Sequence, residues 1–215
     1  MKKILMLILL VSPIVCFAQS TNSSQNAFSV LGGIGIGGLL DGTDSKRLQN
    51  LRAQGAQSSV VMNFTAGADY HRHFILGFSG KAGLRWSRWG YNALLTAAWG
   101  NSVVEGRPVL IDYIEIPIAV QYEFGTKKLK PYCQLGISPM IAVGATSAIP
   151  DVYNGLNKFL FSVQLAGGLR YQLSEKYFLY GHIIGKVQAI PVHNYYQTNE
   201  HLYNCGLELG VGVQL

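Results

Sequence analysis

Over residues 110–144, apolar and polar side chains alternate with a period of two in a pair of long runs joined by a short basic turn. Leu110, Ile114, Ile116, Ile118, Val120, Tyr122 and Phe124 share one face of the first run, with Asp112 its only charge, and Glu115, Pro117, Ala119, Gln121 and Glu123 take the other. In the second run Leu129, Pro131, Cys133, Leu135, Ile137, Pro139, Ile141 and Val143 form the apolar face. Lys130, Tyr132, Gln134, Gly136, Ser138, Met140, Ala142 and Gly144 form the mixed one. A period of two marks a strand with two unlike faces. Strands of soluble domains run to roughly five or six residues, whereas a strand that crosses a bilayer obliquely needs about 9–11. Both arms have the longer length.

The same pattern recurs along the chain. Residues 27–40 send Phe28, Val30, Ile34 and Ile36 one way and Ser29, Gly33, Gly35 and Gly37 the other. Residues 58–70 separate Val60, Met62, Phe64 and Tyr70 from Asn63, Thr65 and Asp69, and residues 74–91 separate Phe78, Leu84 and Trp86 from Lys81 and Arg85. Beyond the central hairpin, 158–172, 177–190 and 202–215 repeat it, with Arg170, His182, Lys186 and Glu208 on their polar faces. Short turns fall at 71–73, between Phe124 and Leu129, and at 173–176, and longer polar connections at 41–57, 92–107, 145–157 and 191–201. Eight long strands, three short turns and four longer loops predict an all-β, antiparallel, up-and-down transmembrane barrel of eight strands. Both termini then lie on the short-turn, periplasmic side.

Composition supports that reading. The 215 residues suit one domain, and charged residues are 13% against about 25% in ordinary soluble domains. Mean hydropathy is +0.21, yet outside the first twenty residues no apolar run reaches the roughly 18 residues of a membrane helix. Apolar surface of this amount can meet lipid as sheet only if the sheet closes, because an open edge leaves backbone groups unpaired. Residues 1–18 read as a signal peptide, with Lys2 and Lys3 before an apolar core and Cys16-Phe17-Ala18 at the cleavage site. Lipidation at Cys16 fits poorly after the bulky Val15. Residues 19–26 form a short polar lead and 27–215 the barrel domain. Removing the signal leaves 15 basic and 11 acidic residues, a net charge of +4, scattered along the chain. That distribution argues against nucleic acid as a partner. Cys133 and Cys205 remain, on strands that are not neighbours and toward opposite rims, and are expected as free thiols.

The polar faces gather Asp69, Lys81, Arg85, Glu115, Arg170, His182, Lys186 and Glu208 into a barrel just wide enough for side chains to fill. Ion pairing across the lumen is expected, with Lys81 or Arg85 meeting Glu115 on the adjacent strand. Tyr70, Trp86, Trp89, Tyr91, Tyr113, Tyr122, Phe124, Tyr171, Tyr177 and Tyr203 are placed at the membrane interfaces, where rings with polar tips are favoured. His71-Arg72-His73 reads as a solvated turn rather than a metal site, since Arg72 would repel a cation. The glycines of 33–37 read as inner-face spacers, because no helix follows them as a dinucleotide loop requires. No cofactor or metal ligand set stands out. A lipid hydrolase or acyltransferase would need Ser with His and a carboxylate at the outer rim. His193 and His201 lie in or beside the fourth loop, but no motif fixes such partners, and G-x-S-x-G and H-E-x-x-H are absent.

The run Tyr113-Ile114-Glu115-Ile116-Pro117, a Lys-rich turn, and Lys130-Pro131-Tyr132 opening the next strand resemble the PorT-like "porin family" of small outer-membrane barrels. The resemblance implies an eight-stranded barrel in the outer membrane of a Gram-negative-type cell. Most such proteins have no assigned activity. The functional expectation is a structural, surface-recognition or envelope-machine accessory protein with a plugged interior. A narrow pore for small solutes is the alternative, and an enzyme less favoured than either. Expected partners are outer-membrane lipid, the barrel-assembly machinery, and an envelope protein engaged through loops 41–57, 92–107, 145–157 and 191–201.

Overall fold

In a computed structural model, residues 26–40, 60–74, 77–96, 103–125, 128–147, 156–192 and 201–215 are described. The expected signal peptide and most of each long loop lie outside them. Nine strands follow one another: β1 (Asn26–Leu40), β2 (Val61–His73), β3 (Phe78–Thr96), β4 (Val103–Glu115), β5 (Ile118–Glu123), β6 (Leu129–Ser147), β7 (Phe159–Gln172), β8 (Tyr177–Gln188) and β9 (His201–Gln214). Each pairs antiparallel with its sequence neighbours, except that β4 and β5 share a place between β3 and β6. The last strand returns to the first, with Ala27 opposite Gln214 and Leu40 opposite His201. The ring is closed and has eight walls.

The split between β4 and β5 corrects the expected unbroken arm and has a local cause. Pro117 has no N–H to give to a ladder. The sheet is held through the gap by Ile116 N donating to Pro139 O at 2.9 Å and by Gly83 N donating to Pro117 O at 3.0 Å. A further irregularity falls between Asp112 and Tyr113, which pair with Gly144 and Ala142 and leave Val143 unmatched, as in a β-bulge.

Two expected connections prove to be partly strand. His71 and His73 belong to β2, and the reversal follows at 74–77, where Phe74 N bonds to Phe78 O at 2.9 Å and Gly77 has a φ of +86°. The polar triplet looks like a turn by composition, but the alternation that carries Asp69 inward also carries His71 inward. The second long connection shortens as well, because β3 runs to Thr96 and β4 begins at Val103.

Alternation sorts the side chains into an apolar outer wall and a polar interior. On β8, Ile183 is 66% exposed and His182 only 1%. Val30, Ile34, Leu84, Val120, Leu135, Leu165 and Leu209 continue the outer surface around the ring. Pro139 keeps the outward parity of Ile137 and Ile141 but is covered where they are exposed. An apolar surface that encircles the molecule is far larger than the few hundred Å² patches soluble monomers tolerate. Cys133 and Cys205 are both exposed on this wall and unbonded. An Ile183→Arg substitution, in the middle of an outward-facing strand, is expected to lower folding stability in lipid vesicles by about 2–4 kcal/mol, and Tyr177→Arg at the strand end by about 1 at most. Denaturant titration of the two variants in bilayers of matched thickness checks the depth dependence.

Candidate functional site

The interior is the part of this fold where chemistry is concentrated, and β2, β3, β8 and β9 supply most of it. Arg85 stands on β3 opposite Gly67, and its guanidinium reaches two carboxylates. Nε and Nη2 donate to Asp69 at 3.2 and 2.9 Å, and Nη1 donates to Glu208 at 2.9 Å from the opposite end of the chain. A planar fork of five donors suits this double engagement, where a lysine would offer a single point charge. The glycines beside it are spatially required: a Cβ at Gly67 would stand 2.6 Å from Arg85 Cγ, and one at Gly83 would run into the Asp69 carboxylate.

From Arg85 the ion pairs extend both ways. Lys81 Nζ lies 2.8 Å from Asp69, Lys186 Nζ lies 3.4 Å from Glu208, and Lys186 also reaches Glu115 at 3.2 Å. Signs alternate along the series Lys81, Asp69, Arg85, Glu208, Lys186, Glu115, so three positive and three negative groups neutralise one another. All six are essentially buried. His182 joins through Nε2 to Glu208 at 2.9 Å, and its Nδ1 meets the Tyr132 hydroxyl at 2.7 Å.

The expected pairing of Lys81 or Arg85 with Glu115 gives way to this arrangement. Arg85 and Glu115 are register partners across β3 and β4, but Glu115 turns to Lys186, Ser87 and the Trp89 indole N–H, the last at 3.0 Å. Arg85's second partner comes from a strand that is not its neighbour, because the closed ring brings Glu208 on β9 to it across the lumen. Arg170 belongs to a separate group near the short-turn end. It donates to Glu123 at 2.8 Å and lies 3.8 Å over the Phe178 ring, and Lys130 stands 3.6 Å from the same carboxylate. Glu123 was missing from the expected interior set, although its place in the alternation beside Gln121 marks it as inward. His71 was likewise missed. It is buried, with Nε2 2.9 Å from Ser29 Oγ, which in turn lies 3.3 Å from the Tyr180 hydroxyl.

Three of the expected interface aromatics are interior residues instead. Trp89 and Tyr113 are fully buried and Tyr91 nearly so. Parity is the reason: on β3 the odd positions that send Lys81 and Arg85 inward send Trp89 and Tyr91 the same way. Together with Val109, Ile111, Met140, Leu160, Val192 and Leu202 they form an apolar cluster at the long-connection end of the lumen. Tyr70, Trp86, Phe124, Tyr171 and Tyr177 are exposed on the outer wall, and Tyr122 and Tyr203 are partly covered there. Arg88, also outward, closes a two-bond fork on Asp112 at 2.8 and 3.1 Å and lies over Trp86.

Removing Arg85 leaves Asp69 and Glu208 buried together without their shared cation. Arg85→Ala is expected to cost about 3–5 kcal/mol of folding stability. Arg88→Ala on the half-exposed outer pair should cost much less. Urea unfolding of both variants from the same lipid vesicles makes the comparison.

No curated protein matches the chain by sequence. Among solved structures it is similar to the outer membrane protein OprG from Pseudomonas aeruginosa, at 12% identity and a TM-score of 0.52, covering 89% of this chain and 96% of that one. It is also similar to the E. coli outer membrane protein W, at 14% identity, 91% and 100% coverage and a TM-score of 0.48. A third is the outer membrane enzyme PagL, at 13% identity, 85% and 97% coverage and a TM-score of 0.47. The likeness to OprG is one of fold. A family model described as outer membrane protein beta-barrel domain matches residues 17–184, and with most of its length so matched, the chain belongs to that outer-membrane β-barrel family.

Proposed function

We propose that the protein is a closed outer-membrane barrel that works as a structural, surface-recognition or envelope-accessory element and not as an open pore. The observation that carries this reading is the filling of the lumen along its height. Tyr132, Phe178 and Tyr180 cluster toward the short-turn end, the alternating ion pairs occupy the middle, and the Trp89–Tyr113 cluster sits toward the long connections. Opening a path through the middle would separate buried ions from their partners, which is costly in a low dielectric. Export through residues 1–18, short turns facing the periplasm and recognition through the loops at 41–57, 92–107, 145–157 and 191–201 complete the proposal. Insertion would depend on the barrel-assembly machinery.

The Ser29–His71 contact does not itself carry an enzyme reading. Catalysis on a lipid would place Ser and His at a rim. Ser29 and His71 meet inside the barrel instead, both buried, with Tyr180 against the serine.

One observation favours the narrow pore as a second reading. Ser138 and Ser162 face each other across β6 and β7, with Gln164 in the next inward position of β7, and these buried polar atoms have no protein hydrogen-bond partner among the described residues. Buried polar groups of this kind ordinarily bind water, so an uncharged polar wall runs beside the ion pairs.

Single-channel recording in planar bilayers decides between the two readings, with heat-dependent gel mobility as the proof of folding. Silence is expected from the native protein. Discrete steps that grow in Arg85→Ala or Glu115→Ala would establish a conducting lumen and overturn the plugged reading.

A further inference from the structure

Polar atoms without a protein partner gather on one side of the lumen. On β6 and β7 three register rows follow one another at inward positions: Gln134 with Ala166, Gly136 with Gln164, and Ser138 with Ser162. Ser138 Oγ, Ser162 Oγ, Gln134 Nε2 and both ends of the Gln164 amide have no hydrogen-bond partner among the described residues. The four residues are at most 2% exposed. A long side chain faces a small one in the first two rows and two short ones meet in the third, so this part of the wall stands back from the lumen. A Cβ at Gly136 would come within 2.9 Å of Gln164 Nε2, and the amide lies in the space the glycine leaves. Apolar side chains bound the recess along both strands. Tyr132 is the next inward residue of β6 toward the short turns and belongs to the lower cluster. Met140 on β6 and Leu160 on β7 are register partners, close over the serine row and belong to the upper cluster. To the side, Lys186 is the register partner of Gln164 but carries its ammonium to Glu115 and Glu208.

We infer that this recess is a binding site for a resident cluster of about three waters, enclosed between the two apolar clusters. The inference rests on the plugged reading and gives the uncharged wall a role other than conduction. A buried polar atom left without a partner is costly, and five such atoms meet here on two neighbouring strands. A buried water makes about three hydrogen bonds, so that number satisfies the five atoms once the waters also bond to one another. Gln164 offers an unpartnered donor and an unpartnered acceptor, and the guest must therefore both accept and donate, as water does. An ion does not suit the site. Its serines and glutamines carry no charge, and the neighbouring series of three cations and three carboxylates is already neutral, so an added charge would be buried without compensation. Tyr132 at one end and Met140 with Leu160 at the other hold the waters in place.

The test is a crystal structure of the full barrel, at a resolution that shows ordered water elsewhere on the protein, with bilayer recording of the same preparation. Ordered water is expected within hydrogen-bond distance of Gln164 and of Ser138 or Ser162. Ser138→Val combined with Ser162→Val fills the recess with methyl groups and removes two of the partners, and the water at Gln164 should be lost. Leu165→Val, on the lipid-facing side of the same strand, should keep it. Heat-dependent mobility reports folding, and Ser162→Val alone, with the same loss expected, serves should the double variant fail to fold. Three results would overturn the inference: the glutamines and serines bonded to one another with no water between them, a cation held at short distances by several of their oxygens, or water at Gln164 unchanged in the valine variants. A dry recess in a barrel that passes no current would end this inference and leave the plugged reading standing. A continuous column of water past Met140 and Leu160, with conductance steps, would end both.

Discussion

A peptide group in hydrocarbon has no water to bond to, and this requirement shapes the whole molecule. Each unpaired N–H or C=O costs several kcal/mol in lipid, so a sheet that faces lipid must close. Here the closure is the ladder between Asn26–Leu40 and His201–Gln214, which joins the two ends of the described chain. Even Pro117, which cannot donate, is accommodated without opening the wall, since its carbonyl still accepts from Gly83. Closure has a second consequence: it defines an inside.

Inside, the constraint reverses. A small barrel has little room for bulk water, so charged side chains must satisfy one another. Arg85 is the centre of that solution because one guanidinium serves Asp69 and Glu208 at once, and Lys81, Lys186 and His182 balance the remaining carboxylate oxygens. The glycines at 67 and 83 exist in this setting as space for the pair, not as flexible joints. Apolar clusters toward either end limit water's access to the ions and strengthen the pairing. Structure and proposed function meet at this point: the same packing that makes the interior stable also makes it an unpromising conduit.

Residue alternation made much of this legible beforehand. The barrel, its eight walls, the apolar outer wall and the inward placement of Asp69, Lys81, Arg85, Glu115, Arg170, His182, Lys186 and Glu208 all follow from the alternating runs, and parity needs no knowledge of neighbours. Where composition was allowed to outvote parity, the reading failed. His71 was assigned to a turn because it stands among polar residues. Trp89, Tyr91 and Tyr113 were assigned to the interface because aromatic rings favour it, although their odd numbers place them with Ser87 and Glu115.

By itself, then, the sequence determined that the chain forms long two-faced strands, that they build eight walls, and for most residues which face meets lipid, because a period of two is a local property of the extended backbone. Only the tertiary structure decided which inward charges meet, since Arg85 finds Glu208 123 residues away and that encounter depends on ring closure, register and side-chain reach.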